Sequence, residues 1–204
     1  TYTEEGYPCF TINTPSGTHT MQLQVPGEHN VLNAMAALAL ADCLSVDFDL
    51  TAQALESFHG TDRRFEHKGT IGGVTVIDDY AHHPTEITTT LQAAQKYPHN
   101  TLWCVFQPHT YTRTKALMDD FAKALTLADR VVLTDIYAAR EKDTLGISSR
   151  DLQKAILDLG KECYYFPTFD EVENFLLENC IKDDMLITMG AGDVYKIGET
   201  LLGN

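Results

Sequence analysis

Basic charge is scarce in this chain. Only 15 Lys and Arg stand against 29 Asp and Glu, for a formal net charge of −14. A nucleic-acid surface needs a concentrated basic face, and these 15 residues are scattered, so nucleic acid is not an expected partner. An anionic small ligand stays open, because a few local cations can hold a phosphate inside an acidic protein. There is no apolar run of membrane-spanning length and no signal peptide, so no membrane contact and a cytoplasmic setting are expected. Cysteines 9, 43, 104, 163 and 180 form no C-x-x-C pair, and Cys104 falls inside an expected core strand. Reduced thiols fit that pattern better than a disulfide framework. No G-x-x-x-x-G-K-[ST] occurs, so the chain carries no phosphate loop of its own. It starts at Thr1 without an initiator Met, which suggests a piece of a longer protein. Internal repeats and low-complexity segments are also lacking.

Hydrophobic residues make up 44% of the 204 positions, enough for a globular core. Two strand-like stretches, Cys9 to Ile12 and Thr20 to Val25, flank the turn signal Thr14-Pro15-Ser16-Gly17 and read as a hairpin. An Ala- and Leu-rich helix follows over 27–41. Near its start Asn30 and Asn33 share a face. Asn30 reads either as a helix cap, with Asn33 solvated, or as half of an amide pair that reads a base edge. A shorter helix covers 50–58, with Thr51 as its cap. The polar, Gly-flanked residues 59–69 read as a connection between two domains.

From residue 70 onward, strand and helix alternate. Strands are expected near 74–78, 102–106, 130–135, 162–166 and 185–189. Helices are expected near 84–96, 112–126, 148–158, 170–179 and 193–202. That alternation predicts an α/β fold, a doubly wound and mostly parallel sheet with helices on both faces. Its strands would all end on one edge, and that edge is loaded. It carries Asp78, Asp79, Tyr80, His82 and His83, then Gln107, Pro108, His109, Tyr111 and Arg113, then Asp135 and Tyr137, then Gly190-Ala191-Gly192-Asp193. The opposite strand ends show no such concentration, so the edge is the candidate site. Pro84 starts a helix there, with Glu86 in its first turn. Adjacent His82 and His83 point apart and lack the i,i+4 spacing of zinc hydrolases, so no metal is assigned to them. Asp78 and Asp79 point to opposite faces, so one can hold the loop while the other faces ligand. Arg113 opposes the dipole of its own helix, which makes sense if an anion lies beside it. The glycine turn at 190–192 could approach a phosphate, but it lacks the third glycine of a dinucleotide fingerprint.

Five stretches, taken in order, resemble the Mur ligases of peptidoglycan synthesis. They are Gly27-Glu28-His29-Asn30-Val31-Leu32-Asn33-Ala34, Arg63-Arg64-Phe65, Asp78 to Glu86, Phe106 to Thr114, and Met189 to Asp193. Within that family the likeness is greatest to the branch that joins L-alanine to UDP-N-acetylmuramate. The resemblance implies the tail of a central ATP-binding domain over 1–60 and a C-terminal Rossmann-like domain over 61–204. It also implies ATP as cofactor with Mg2+ held mainly outside this chain, and an acyl phosphate that the alanine amine attacks. His29, Asn30 and Asn33 would then lie at the adenine. Arg64 and Asp79 would reach the nucleotide's phosphate and ribose. Tyr80, His82, His109 and Arg113 would line the pocket for alanine and the acyl phosphate, with Arg113 on the alanine carboxylate. Thr110 stands where some members carry an arginine. Taken alone, the chain is expected to be inactive. The other readings are a ligase that recycles murein tripeptide, with a different sequence expected at 107–113, and a non-catalytic nucleotide- or partner-binding module.

Overall fold

The computed structural model describes residues 1–4, 6–14 and 17–204. They group into two compact units, Thr1–Thr61 with Gln92–Pro98, and Asp62–Leu91 with His99–Asn204.

In the first unit, β1 (Cys9–Thr14) pairs antiparallel with β2 (Gly17–Gln22). Pro15 and Ser16 of the expected turn lie outside the described residues. Pairing stops at Gln22, but the alternation continues: Met21, Leu23 and Val25 are buried, and Gln22 and Gln24 are partly exposed. Leu23 and Val25 join Ala34, Phe10, Val31 and Leu55 in a small core. Two helices follow, α1 (Glu28–Cys43) and α2 (Phe48–Glu56). Neither cap falls where the sequence suggested. Gly27 occupies the α1 cap at φ 91°, and Asn30 sits inside the helix, donating from Nδ2 to the Pro26 carbonyl at 2.7 Å. For α2 the cap is Asp47, which accepts from Leu50 N at 3.0 Å. Thr51 only bonds back to the Asp47 carbonyl. Leu32, Met35 and Leu40 on α1 remain exposed, and so does Leu44 just beyond it.

The second unit holds a six-stranded sheet. Its strands are β3 (Glu66–Ile71), β4 (Val74–Asp79), β5 (Leu102–Phe106), β6 (Arg130–Leu133), β7 (Glu162–Tyr165) and β8 (Met185–Met189). Their order is β3-β4-β8-β5-β6-β7, with every pairing parallel except β3 with β4. The last strand is inserted between the first two parallel strands, so the chain runs outward along the sheet and then returns. The helices are α3 (Pro84–Ala94), α4 (Tyr111–Ala116), α5 (Met118–Leu125), α6 (Ser149–Asp158), α7 (Phe169–Asn179) and α8 (Tyr195–Leu201). Right-handed crossovers put the helices of the outward run on one face and those of the return on the other. Val74, Val76, Trp103, Val105 and Leu186 accordingly pack with Val172 and Leu176 of α7 and Ile197 of α8. On the opposite face Phe106 meets Phe121 of α5, with ring centroids 5.6 Å apart. All five residues of β5 and of β8 are buried, as strands covered on both faces must be.

In the second unit the sequence reading differs from the structure in two elements. Residues 66–71 form the edge strand β3, not a connection. Its polar Glu66, His67 and Lys68 suit an edge, and the Gly72-Gly73 pair closes a tight hairpin with φ of 58° and 85°. The helix expected over 112–126 is broken at Leu117 (φ −116°, ψ 22°) into α4 and α5.

One buried acid fastens the strand starts. Asp184, 2% exposed, accepts from Trp103 Nε1 at 3.0 Å, Ile181 N at 3.1 Å and Thr101 N at 3.2 Å. Asp184→Ala leaves three donors unsatisfied. It is expected to lower stability in urea denaturation by about 2–4 kcal/mol while leaving the opposite sheet edge unchanged.

Candidate functional site

Alternation along β4 sends its last two carboxylates to opposite faces, and the structure shows what each one meets. Asp78, 1% exposed, accepts from Arg63 Nε at 2.8 Å and from the Thr188 hydroxyl at 2.8 Å. Burial pushes its pKa up, and the Arg63 and Thr188 hydrogen bonds oppose that rise. Asp79, 5% exposed, accepts from Ala81 N at 2.7 Å, Phe65 N at 2.9 Å and the Thr90 hydroxyl at 3.2 Å. Its carboxylate is thus occupied by protein donors, where the resemblance assigns it to a nucleotide. Both acids hold loops.

Arg63 is the main tie of the edge, and the sequence reading had assigned it no role. Besides Asp78, its Nη2 donates to the Gly190 carbonyl at 2.8 Å and its Nη1 to the Gly192 carbonyl at 3.1 Å. Its guanidinium lies 4.8 Å from the Tyr80 ring centroid and 4.6 Å from that of Tyr195. Its backbone sits at φ 56°, in the left-handed region, and its carbonyl accepts from Tyr80 N at 2.8 Å. The neighbouring Arg64 is exposed, its guanidinium 5.9 Å from the centre of Tyr80. Two adjacent arginines therefore divide, one built into the structure and one facing solvent. Adjacency in sequence gives no sign of which is which.

The 190–193 turn is sealed rather than open. Gln107 donates from Nε2 to Asp193 Oδ1 at 3.1 Å and accepts from Asp193 N at 3.0 Å. A Cβ on Gly192 would lie 2.2 Å from Gln107 Oε1 and 2.8 Å from Tyr137 Cγ. One on Gly190 (φ 149°) would lie 2.8 Å from the Gln107 carbonyl oxygen. Close packing against Gln107 and Tyr137 explains these glycines, where the sequence suggested approach to a phosphate.

The histidine loop caps α3. Glu86 accepts from His82 N at 3.0 Å and His83 N at 3.2 Å, and the His83 Nδ1 accepts from Thr85 N at 3.3 Å. Burial raises the Glu86 pKa, but the His82 and His83 N–H groups and the nearby charges of His82 and Arg64 outweigh it and hold it low. His83 is exposed, whereas His82 turns inward with Nδ1 3.0 Å from the Tyr80 carbonyl. Rings then line up along the edge. Tyr80 meets His82 edge-on at 5.4 Å, His82 lies 5.9 Å from His109, and His109 stacks on Tyr137 at 5.7 Å. Beside them, two buried nitrogens lack any hydrogen-bond partner: His109 Nδ1 and Arg113 Nη1. Among the described residues His19 Nε2 and Ser149 Oγ are also buried and unpaired, but only His109 and Arg113 stand together in one turn on this edge. Burial lowers the His109 pKa, and the Arg113 and His82 charges lower it further, against a smaller opposing pull from Glu141. A neutral imidazole beside a guanidinium can orient a carboxylate or phosphate oxygen without itself carrying charge.

His29, Asn30 and Asn33 form their own group in the first unit. His29 and Asn33 are exposed at the start of α1, and Asn33 Nδ2 donates to Asn30 Oδ1 at 3.0 Å. Among the described residues no three His, Cys, Asp or Glu side chains come close enough to hold a metal ion. None of the helices described is long and apolar enough to cross a membrane.

Comparison with known proteins shows the family of the chain. Residues 63–192 match the family model described as Mur ligase, glutamate ligase domain. The chain belongs to the Mur ligase family. Among relatives in that family, it is 62% identical over 183 residues to the UDP-N-acetylmuramate–L-alanine ligase of Lachnospira eligens, covering 90% of this chain and 40% of that protein. It is 55% identical to the same ligase of Agathobacter rectalis, covering 99% and 44%. The chain thus spans less than half the length of these curated relatives. Among solved Mur ligase structures, that of the UDP-N-acetylmuramate–alanine ligase from Thermotoga maritima superposes with a TM-score of 0.76 at 35% identity, over 91% of this chain and 39% of that one. A murein peptide ligase from Psychrobacter arcticus gives 0.66 at 27%, over 94% and 40%. These likenesses agree with the α/β, mostly parallel Mur ligase C-terminal fold described above.

The two arginines should separate in stability. Arg63→Leu strands a buried carboxylate and is expected to cost about 3–5 kcal/mol in chemical denaturation, whereas Arg64→Leu should stay within about 0.5 kcal/mol. The His109 imidazole should titrate below the ordinary 6.5 when followed by NMR, and Arg113→Leu should move it upward. Because the folded value is the lower one, the stability His109 contributes is present above about pH 6.5 and is lost as pH falls through the folded pKa.

Proposed function

We propose that this chain is the C-terminal part of a cytoplasmic ligase that joins L-alanine to UDP-N-acetylmuramate in peptidoglycan synthesis. The unpartnered pair His109 Nδ1 and Arg113 Nη1 carries this reading. ATP supplies the phosphoryl group that turns the lactyl carboxylate of the sugar nucleotide into an acyl phosphate. Forming the amide then requires the alanine amine near that carbonyl, with the charge of both anions answered. Arg113 holds the alanine carboxylate in a charge-assisted hydrogen bond. His109, neutral at pH 7, and His82 flank the acyl phosphate, and Tyr80 walls the pocket. Arg64, exposed and not tied into the fold, reaches a phosphate of the nucleotide. Asp79 contributes by fixing the Phe65 N–H and with it the turn that carries Arg64. His29, Asn30 and Asn33 take the adenine, the amide pair offering donor and acceptor to a base edge. Magnesium is assigned mainly to residues outside this chain, as the family resemblance implies, and the chain alone is expected to be inactive.

Names carried by relatives support the alanine reading, while the fold shared with a murein peptide ligase keeps a tripeptide acceptor as the alternative. Phosphate release by the full-length protein with ATP, magnesium and UDP-N-acetylmuramate separates them. Release should depend on L-alanine and should fall about 100-fold or more in kcat/KM in Arg113→Ala, with ATP affinity kept, in line with loss of a buried charge-assisted contact. Release with murein tripeptide alone would assign the recycling activity. A folded protein that binds ATP but releases phosphate with neither acceptor would be a binding module.

A further inference from the structure

The turn that carries His109 and Arg113 is gripped from both ends by one distant loop. Residues 134–148 leave β6 and cross in front of the 108–113 segment. Tyr137 grips the first end. It forms a parallel bridge with His109, its N–H donates to the Pro108 carbonyl at 2.8 Å, and its carbonyl accepts from Thr110 N at 2.9 Å. Its ring also stacks on His109.

Glu141 grips the other end. Its carboxylate accepts from Thr112 N at 3.0 Å and from the Thr112 hydroxyl. The Tyr111 N–H and the Thr110 hydroxyl also stabilise its charge, and together these donors hold it below the usual carboxylate range, with the two Thr112 bonds leading. Between the two grips Thr110 sits at φ 66°, ψ 144°, a backbone conformation that a β-branched residue adopts only when its surroundings impose it. The first N–H groups of α4 are therefore already answered by a protein carboxylate. Arg113 Nη1, on the next residue, and His109 Nδ1 are left unpaired.

We propose that Glu141 is a positioning residue: by holding the Thr110–Thr112 turn it aims Arg113 and His109 at the carboxylate of the incoming amino acid. Glu141 also occupies the helix start, so that carboxylate has Arg113 rather than the α4 N–H groups as its partner. The inference rests on the ligase reading given above and adds to it a residue of a different loop.

Steady-state kinetics of the full-length protein test it, with Glu141→Ala, Glu141→Gln and Thr112→Val compared with the wild type. For Glu141→Ala the KM for L-alanine should rise about tenfold or more, the effect of losing a hydrogen bond to a charged group. Its kcat should fall less, and the KM for ATP should hold. Glu141→Gln keeps one acceptor oxygen and should recover part of the loss. Thr112→Val removes a partner from the other side and should raise the same KM more mildly. If Glu141→Ala does not fold, the other two variants carry the same expectation. An alanine KM within twofold of the wild type in the folded variants, or an equal rise in both KM values, overturns the positioning role. A wild type with no alanine-dependent turnover overturns the ligase reading and this inference with it, a result the variants alone cannot produce.

Discussion

A carboxylate buried at the end of a central strand needs hydrogen-bond partners, and at Asp78 the partner that meets this need, Arg63, organises the whole sheet edge. Arg63 answers it from the segment before β3, and the same guanidinium reaches on to the Gly190 and Gly192 carbonyls after β8. One side chain thereby fixes three segments that are far apart in sequence. Such an ion pair adds little net stability compared with apolar packing, but removing one partner is costly. What the pair adds is register: the strand ends cannot slide while Arg63 spans them. Gln107 repeats the device from β5 by gripping Asp193.

With the floor of the edge fixed, the remaining polar groups separate by whether the fold has used them. Asp78, Asp79, Glu86 and Gln107 are all committed to protein partners. Arg64 is exposed, and His109 and Arg113 each keep a nitrogen without a partner. A ligand-binding edge needs this division, because groups that recognise a ligand must be held by others that do not. The ring series from Tyr80 through His82 and His109 to Tyr137 runs along the same edge and brings the His109 nitrogen into it.

Much of the second unit was legible in the sequence. Val131-Val132-Leu133 and Met185-Leu186-Ile187 are apolar on both sides of the pleat, which only a covered parallel strand requires. The edge strand β3 was not legible because its side chains obey a weaker constraint: an edge tolerates Glu66 and Lys68, and only the Gly72-Gly73 hairpin signal points to it. Caps were misplaced for a local reason. Asp47, a stronger acceptor than Thr51, lies four residues ahead of it, and Asn30 falls inside α1, where Gly27 already holds the cap position. At the site, the crowding of polar residues on one edge could be read from the alternation alone. Which of them are structural could not, because Asp78 and Asp79, or Arg63 and Arg64, differ only in what folding brings beside them. Glu141 lies 29 residues from the turn it holds, and no periodicity links the two.

The most direct measurement is the position of the amino acid itself. A crystal structure of the full-length protein with L-alanine, UDP-N-acetylmuramate and a non-hydrolysable ATP analogue would show it. The account predicts a carboxylate oxygen about 3 Å from Arg113 Nη1, beside His109, with Arg63 still on Asp78. Alanine bound with its carboxylate on other groups, and Arg113 Nη1 turned toward protein or solvent, would contradict it.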